Sequence, residues 1–306
     1  MAHDKTRADI HQTVTDNIVR MLETAQKTGG KMPWHRPGVA HSRPTNVVSK
    51  QRYRGINVLS LWGAGDVANY RTGLWGTYKQ WQELDCQVRK GEKATPIVFY
   101  KPLEIADDSA KPTPGESPGT KTIRMVRGYW GFNADQVDGF EPPAAPAENK
   151  VTAIANAEAF IKTTGIDIRL GGARAFYRPS EDFMQMPDKV LFRNTATSTA
   201  TEGYYAVLFH EAGHASGGSH RLNRNLSGRF GSAAYAMEEM IVEFCAGFLC
   251  ADLGITAQTR EDHAHYIANW LTVLKDDKGA VFTAAAAANK AAEFLHSLQP
   301  SRATFA

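Results

Sequence analysis

The segment His210-Glu-Ala-Gly-His214 constrains this chain of 306 residues more than any other feature. Residues four apart lie on one face of an α-helix, so the two imidazoles of an HExxH segment can share one metal ion. Glu211, next to the first histidine, is then placed to act as general base toward an attacking water. The apolar run 204–209 precedes the motif and Gly217-Gly218 follows it. The pattern predicts a buried metal-binding helix, after which the chain turns back to supply a third ligand.

Two residues are candidates for that third ligand. His220 completes an HExxHxxGxxH spacing, whereas Glu239 lies on a later helical segment with Glu243 one turn beyond it. Residues 241–255 carry only Glu243 and Asp252 as charged groups, so this helix must bury most of its surface. A carboxylate inside such a helix needs a cation or a hydrogen-bond donor. We therefore favour Glu239 as the ligand, with Glu243 orienting a ligand imidazole.

The expected ligands are the nitrogens of His210 and His214 and an oxygen of Glu239. This set suits Zn²⁺ or another divalent ion such as Mn²⁺ or Co²⁺ and leaves a fourth position open for water. Tyr204, Tyr235 and His220 are candidate donors to the oxyanion of a peptide hydrolysis, and the sequence does not choose among them.

Composition excludes several classes of protein. The chain is 42% hydrophobic and 22% charged, as in a soluble globular protein, and lacks an apolar run long enough for a transmembrane helix. Its N-terminus is polar and without the apolar core of a secretory signal. The three cysteines show no CxxC spacing, and their odd number argues against a disulfide framework. We expect a cytoplasmic protein with reduced thiols and no membrane partner.

Positive charge and aromatic side chains are concentrated together in the N-terminal half. Residues 31–101 hold 12 Lys and Arg against 4 Asp and Glu, and five of the six tryptophans precede residue 131. A basic groove with aromatic faces is how proteins hold single-stranded nucleic acid without strong base preference. Trp62 and Trp130 are instead expected to pack in the core. The candidate DNA-binding residues are Arg52, Tyr53, Arg54, Trp75, Lys79, Trp81, Arg89, Lys90 and Lys93, and Tyr78 in the same span adds a further aromatic ring.

Hydrophobic periodicity and breakers predict an α+β protein of two domains, residues 1–141 and 150–306, joined by a Pro- and Ala-rich linker at 142–149. Helices are predicted over 6–28, 56–67, 77–84, 151–164, 266–274 and 283–297, in addition to the two in the metal site. Strands are predicted over 97–101, 122–132, 166–170, 175–177 and 189–192, with a mobile loop at 107–120. The C-terminal strands are expected to form a short antiparallel sheet beside the HExxH helix.

The chain resembles the ArdC family of antirestriction proteins carried by conjugative plasmids. The shared pattern covers nearly the whole chain. It includes Pro33-Trp34, Tyr53-Arg-Gly-Ile-Asn57, Trp75-Gly-Thr-Tyr-Lys-Gln80, Val88-Arg-Lys-Gly-Glu-Lys93, Tyr177-Arg-Pro-Ser-Glu-Asp182, Met186-Pro187, the HExxH segment, Arg221-Leu-Asn-Arg224 and Glu238-Glu-Met-Ile-Val-Glu243. The resemblance implies an N-terminal domain that binds single-stranded DNA and a C-terminal zincin-like metallopeptidase domain. It also implies that the protein shields incoming plasmid DNA from host restriction.

Three functions fit these features. The first is a DNA-binding protective protein with a working peptidase, acting on an unknown protein substrate. The second is a protein that protects DNA by coverage alone, with a non-catalytic metal site. The third is a regulatory metalloprotease that cleaves a host or DNA-bound protein, for which the DNA domain provides only localisation.

Overall fold

The computed structural model describes residues 2–27, 42–106, 120–143, 150–195, 198–229, 231–256 and 263–300. Pro33-Trp34, nearly all of the loop predicted to be mobile and most of the predicted linker lie outside these residues. None of the described helices has both the length and the apolar character needed to cross a membrane.

The N-terminal half combines three helices with two sheets. Its helices are α1 (Ala2–Lys27), α2 (Ile56–Ala68) and α3 (Tyr78–Gln82), and its strands are β1 (Thr45–Asn46), β2 (Leu74–Thr77), β3 (Gln87–Val88), β4 (Thr95–Ala106), β5 (Thr120–Asn133) and β6 (Val137–Asp138). The larger sheet has the order β1-β2-β5-β4, in which β1 and β2 are parallel and β4 and β5 form a long antiparallel hairpin. Strands β3 and β6 form a separate antiparallel pair.

The start of α3 shows how local sequence specifies this fold. Thr77 accepts a hydrogen bond from the amide of Gln80, and the Gln80 side chain accepts one from the amide of Thr77. This reciprocal capping confirms the helix start predicted at residue 77. Gly76 must lack a side chain, because a Cβ there would lie 2.8 Å from Val47 and 3.1 Å from the indole of Trp81.

The C-terminal half is mainly helical. It contains α4 (Lys150–Thr163), β7 (Asp167–Leu170), β8 (Phe176–Arg178), β9 (Phe183–Met186), α5 (Ala200–Ser216), α6 (Ala233–Leu253), α7 (His263–Asp276) and α8 (Ala280–Ser297). The three strands lie in the order β7-β9-β8. This sheet is mixed, not antiparallel throughout as expected, because β7 pairs in parallel with the central strand β9 and only β8 pairs with it antiparallel.

The prediction of a strand at 189–192 is wrong, and the strand β9 was missed. Residues Lys189–Leu191 form a 3₁₀ helix with Val190 and Leu191 exposed, whereas Phe183, Met184 and Met186 are buried. Both stretches are short and apolar, so local composition alone could not tell which of them the α-helices would cover.

One continuous hydrophobic core includes residues from both halves of the chain. Apolar side chains of α1 and α2 join those of α5 to α8, and the rings of Trp62 and Phe248 lie 5.9 Å apart. Trp62 is 3% exposed, which confirms its predicted place in the core. The buried carboxylate of Asp252, near the end of α6, adds a polar contact: it lies 2.8 Å from Arg52, 3.3 Å from Arg43 and 3.1 Å from His296.

Candidate metal centre and nucleic-acid interface

Helix α5 carries His210, Glu211 and His214 on a buried face. It begins at Thr199, whose side chain accepts from the amide of Glu202 in a capping box, and all but a few of its residues are buried. Gly213 lets α6 come close, since a Cβ there would lie 3.1 Å from Val242. The HExxH helix therefore packs directly against the helix that carries the acidic residues.

Helix α6 brings Glu239 between the two imidazoles. The Nε2 atoms of His210 and His214 lie 3.5 and 3.4 Å from its carboxylate oxygens, and one donor atom from each residue lies within 4.8 Å of the others. Two atoms that are each about 2.1 Å from a tetrahedral ion are about 3.4 Å apart. The spacing of these donors therefore fits an ion of the size of Zn²⁺, to which they would offer two nitrogen ligands and one oxygen ligand.

A carboxylate stands behind each of the two imidazoles. Glu243 lies 3.5 Å from Nδ1 of His210, and Glu238 lies within hydrogen-bond distance, at 3.3 Å, of Nδ1 of His214. Such carboxylates set the ring orientation and tautomer of histidines that bind metals, with Nε2 left for the ion. The sequence analysis did not assign Glu238 a role.

The centre has an excess of buried negative charge. Glu211, Glu238, Glu239 and Glu243 are all at least 93% buried, and Arg224 is the cation that pairs with this group. Its guanidinium donates to both oxygens of Glu238, at 3.0 and 2.8 Å. With neutral histidines the group carries a formal charge of −3, which a divalent cation would reduce to −1.

Two carboxyl groups of the centre, those of Glu238 and Glu239, have pKa values below their usual range. Burial acts to raise the pKa of Glu239, but hydrogen bonds with His210 and His214 outweigh it and lower that pKa far below its usual range. Burial acts to lower the pKa of His214, but hydrogen bonds with Glu238 and Glu239 raise it to about 10. Without a metal ion, the protonated imidazole of His214 therefore supplies positive charge that offsets these carboxylates.

His220 does not belong to this group. Its side chain is 55% exposed, and its Nε2 lies 3.1 Å from Asp182. Arg221 holds the same carboxylate through two hydrogen bonds of 2.7 and 3.1 Å and also donates to the carbonyl oxygen of Ala215, so it anchors the loop after α5. Of the two candidates for the third ligand, the structure places Glu239 beside the histidines.

The donor atoms open onto a cleft of about 260 Å³. One wall is formed by α5 and α6, and the other includes Phe176 and Tyr177 of the edge strand β8. Of the three candidate oxyanion donors, only Tyr235 is among the described residues that line the cleft. Its hydroxyl lies 3.1 Å from that of Tyr266. Burial raises the pKa of Tyr235, as do its neighbours Tyr266 and Glu239, so its hydroxyl keeps its proton at neutral pH.

Two of the predicted DNA-binding residues are placed differently from expectation. Trp75 is 2% exposed and Trp81 is fully buried, with its indole nitrogen donating to the carbonyl oxygen of Phe132. Neither ring has a free face on which a base could stack, so these two assignments are wrong. Trp75 packs with Leu61 and Ile97, and Trp81 lies in a separate cluster with Val47 and Val88. Residue spacing in the sequence did not reveal these contacts.

Three other residues from the predicted set lie at the junction of the two halves. Arg52 pairs with the buried Asp252, and Arg54 pairs with Glu293 of α8 at 3.2 Å. The hydroxyl of Tyr53 accepts a hydrogen bond from Asn46, and burial raises the pKa of this phenol. The ion pairs of Arg52 and Arg54 join the two halves of the chain.

The remaining basic residues of the set lie on the surface around α3 and β3. The Lys79 side chain is 86% exposed and forms a long ion pair of 3.8 Å with Glu83. Arg89 forms a shorter ion pair of 2.9 Å with Glu92. Lys90 and Lys93 are exposed in the turn at Gly91, whose φ of +90° suits glycine. Among the described residues, these two lysines have no carboxylate partner.

The β4–β5 hairpin presents aromatic rings that the sequence analysis did not select. Phe99, Tyr129 and Trp130 are 61%, 42% and 53% exposed, so the expected core position of Trp130 is wrong. The rings of Phe99 and Tyr129 contact each other at 6.2 Å. Alternation along paired strands puts Arg127 on the same face, opposite Phe99.

Two family models match this chain, one in each half. Residues 155–287 match the model of a zincin-like metallopeptidase family, and residues 8–132 match the model of the N-terminal domain of anti-restriction factor ArdC. Fold and site thus define a zincin-like metallopeptidase domain that follows an N-terminal domain of another kind.

Relatives identify the family. The antirestriction protein ArdC of plasmid R388 has 36% identity to this chain in its metal-free crystal structure, with a TM-score of 0.73 over 95% of this chain and 97% of that one. Its Mn(II)-bound structure gives 34% identity and a TM-score of 0.71, over 96% of this chain and 99% of that one. The chain belongs to the ArdC family of antirestriction proteins, one of which has been crystallised with a divalent metal.

Two further relatives extend this picture. The uncharacterized protein y4eC of Sinorhizobium fredii (strain NBRC 101917 / NGR234) is 48% identical over 297 residues, which are 96% of this chain and 94% of that protein. The DNA primase TraC of Escherichia coli is 34% identical over 306 residues, 95% of this chain but only 27% of the primase. This chain thus corresponds to about a quarter of that larger protein.

Proposed function

We propose that this protein binds single-stranded DNA through its N-terminal half, hydrolyses peptide bonds in its C-terminal half, and protects incoming plasmid DNA from host restriction. The peptidase part depends on one observation. His210, His214 and Glu239 lie together at a cleft, with Glu211 on the same wall.

The proposed catalytic residues have separate tasks. His210, His214 and Glu239 would hold a divalent ion, which we propose to be Zn²⁺, with Mn²⁺ or Co²⁺ as alternatives. When bound, that ion supplies Lewis-acid activation of water and of the substrate carbonyl. Glu211 accepts the proton of the attacking water and passes it to the leaving amine. The hydroxyl of Tyr235 donates a hydrogen bond to the oxyanion that develops on the carbonyl oxygen.

The cleft favours an extended polypeptide as substrate. Strand β8 is an edge of its sheet among the described residues, and Phe176, Tyr177 and Pro179 border the cleft. A substrate segment can add to such an edge through main-chain hydrogen bonds, while its side chains alternate between cleft and solvent. An extended segment of a DNA-bound protein would fit this mode.

The DNA-binding part rests on charge and on exposed aromatic rings. Lys79, Lys90 and Lys93 are exposed, and the hairpin carries the exposed rings of Phe99 and Tyr129. Ammonium groups neutralise phosphates, and aromatic rings stack with unpaired bases of any kind. We expect binding that falls steeply with salt and depends little on base sequence.

A conjugation assay into a restricting host separates the two activities. Glu211→Gln removes the general base and keeps the size of the side chain, while exchange of Lys79, Lys90 and Lys93 for Gln removes three exposed charges. Arg52 is left unchanged, because its substitution would also remove a partner of the buried Asp252.

The proposed function requires that both variants protect less than the wild type. Protection that survives Glu211→Gln but not the lysine exchange would instead indicate coverage of DNA with a non-catalytic metal site. The reverse result would indicate a regulatory protease. Cleavage of casein by the wild type but not by Glu211→Gln tests hydrolysis directly.

A further inference from the structure

An open depression of about 600 Å³ lies in the N-terminal half, outside the peptidase cleft. It is formed where the start of α3, strand β3 with the turn after it, and the end of β5 come together. Its lining includes the rings of Tyr78 and Phe132, the Gln87 side chain, and the charged residues Arg89, Lys90, Glu92 and Asp138. We call it the Tyr78 pocket.

The tyrosine ring is exposed and held in one orientation. Tyr78 is 43% exposed, and its ring meets that of Phe132 at a centroid distance of 6.4 Å in an edge-on arrangement. Its hydroxyl accepts a hydrogen bond of 3.0 Å from the Gln87 amide, which also donates to the carbonyl oxygen of Val88. A flat apolar face is therefore presented to solvent in advance of any ligand.

Charge decides which part of a nucleotide suits the pocket. Arg89 is offset by Glu92 at 2.9 Å and Asp138 at 3.5 Å, so a phosphate inside would face two carboxylates. A neutral base would not be repelled, and its N–H groups could donate to Asp138, whose side chain is 68% exposed. Lys90 and Lys93 project from the adjacent turn, where they can meet the flanking phosphates.

We propose that the Tyr78 pocket receives one unpaired nucleobase of a bound DNA strand, stacked on Tyr78, with the neighbouring phosphates on Lys90 and Lys93. This inference rests on the proposed binding of single-stranded DNA and adds where a base is held. In this arrangement Tyr78 fixes one base of the DNA, and Lys90 and Lys93 contact the phosphates on either side of that base.

Photocrosslinking tests the pocket directly. The full-length protein is irradiated with an oligodeoxycytidine of about 12 nucleotides that carries one 5-iododeoxyuridine, and the adduct is located by mass spectrometry. We expect the adduct on Tyr78. Tyr78→Ala should weaken binding about 5- to 150-fold in fluorescence anisotropy, while Tyr78→Phe, which keeps the ring, should bind much like the wild type.

The outcomes separate this proposal from the wider one. Binding by the wild type with adducts only on Phe99 or Tyr129, and undiminished binding by Tyr78→Ala, would overturn the Tyr78 pocket and leave DNA binding intact. Failure of the wild type to bind any oligonucleotide at low salt would overturn both. Unchanged thermal unfolding of Tyr78→Ala, expected for a half-exposed side chain, would show that loss of binding does not reflect loss of fold.

Discussion

Exchange of Glu239 for Gln should remove most of the stabilisation of this protein by a divalent ion. The Glu239 carboxylate lies 3.5 and 3.4 Å from the two histidine nitrogens, and it supplies one of the negative charges that the ion would compensate. An ion at 100 times its dissociation constant stabilises the folded state by about 2.7 kcal/mol. Loss of even a residue that only orients a ligand weakens metal binding by about 10- to 100-fold.

The expected shift follows from these numbers. If the exchange of Glu239 raises the dissociation constant about 100-fold, the same ion concentration stabilises the variant by only about 0.4 kcal/mol. At about 2 °C per kcal/mol for a chain of this size, the metal-induced rise in Tm falls from about 5 °C to about 1 °C. The assay is thermal unfolding of chelator-treated protein with and without added Zn²⁺ or Mn²⁺.

Two matched variants complete this test. His220→Ala should keep the full shift, because this side chain pairs with Asp182 and not with the group at the cleft. Glu211→Gln should also keep the shift while hydrolysis is lost, because Glu211 is the proposed base and not a ligand. A full shift in Glu239→Gln, or its disappearance in His220→Ala, would refute this assignment of the third ligand.

Three further predictions concern stability. Arg224→Met leaves the buried carboxylate of Glu238 without its bidentate partner and should lower the free energy of unfolding in urea by about 3–5 kcal/mol. Burial acts to raise the pKa of Asp252 in the folded protein, but His296, Arg43 and Arg52 outweigh burial and lower it. The ionised carboxylate therefore stabilises the fold above the unfolded pKa of about 3.9, and this stabilisation is lost as the pH falls through the folded pKa. Asp252→Asn should accordingly lose less stability than the wild type on acidification below about pH 4, as urea midpoints would show. Trp81→Ala should cost about 3–5 kcal/mol, whereas Trp130→Ala, at a half-exposed ring, should cost much less; equal losses would contradict the burial assigned to Trp81.

The metal centre could be predicted largely because its spacings are local. His210 and His214 share a helical face by backbone geometry alone, and so do Glu239 and Glu243. The helix start at Thr77 was equally accessible, since capping involves residues only three apart. The apolar character of 241–255 added that the acids on this helix must be buried, and that each needs a cation or a hydrogen-bond donor.

Residue spacing could not predict contacts between segments that lie far apart in the chain. Glu238 receives Arg224 from a loop before α6 and His214 from α5, and neither partner has a periodic relation to it. His220 fits a metal-ligand spacing, yet the loop after α5 takes it to Asp182 instead. A motif states which residues can reach a common point, whereas loop packing decides which of them do.

The aromatic residues show the same limit for the nucleic-acid surface. From the sequence alone, Trp81 and Trp130 are both large apolar residues near basic ones, but the first is fully buried and the second is about half exposed. The sequence by itself determined that this chain carries a metal-binding helix pair and a basic, aromatic-rich half, because helical period and composition are properties of the chain. The tertiary structure alone decided which aromatic rings remain exposed and which charged residues form ion pairs between the two halves. The reason is that burial depends on which distant segments of the chain pack against each residue.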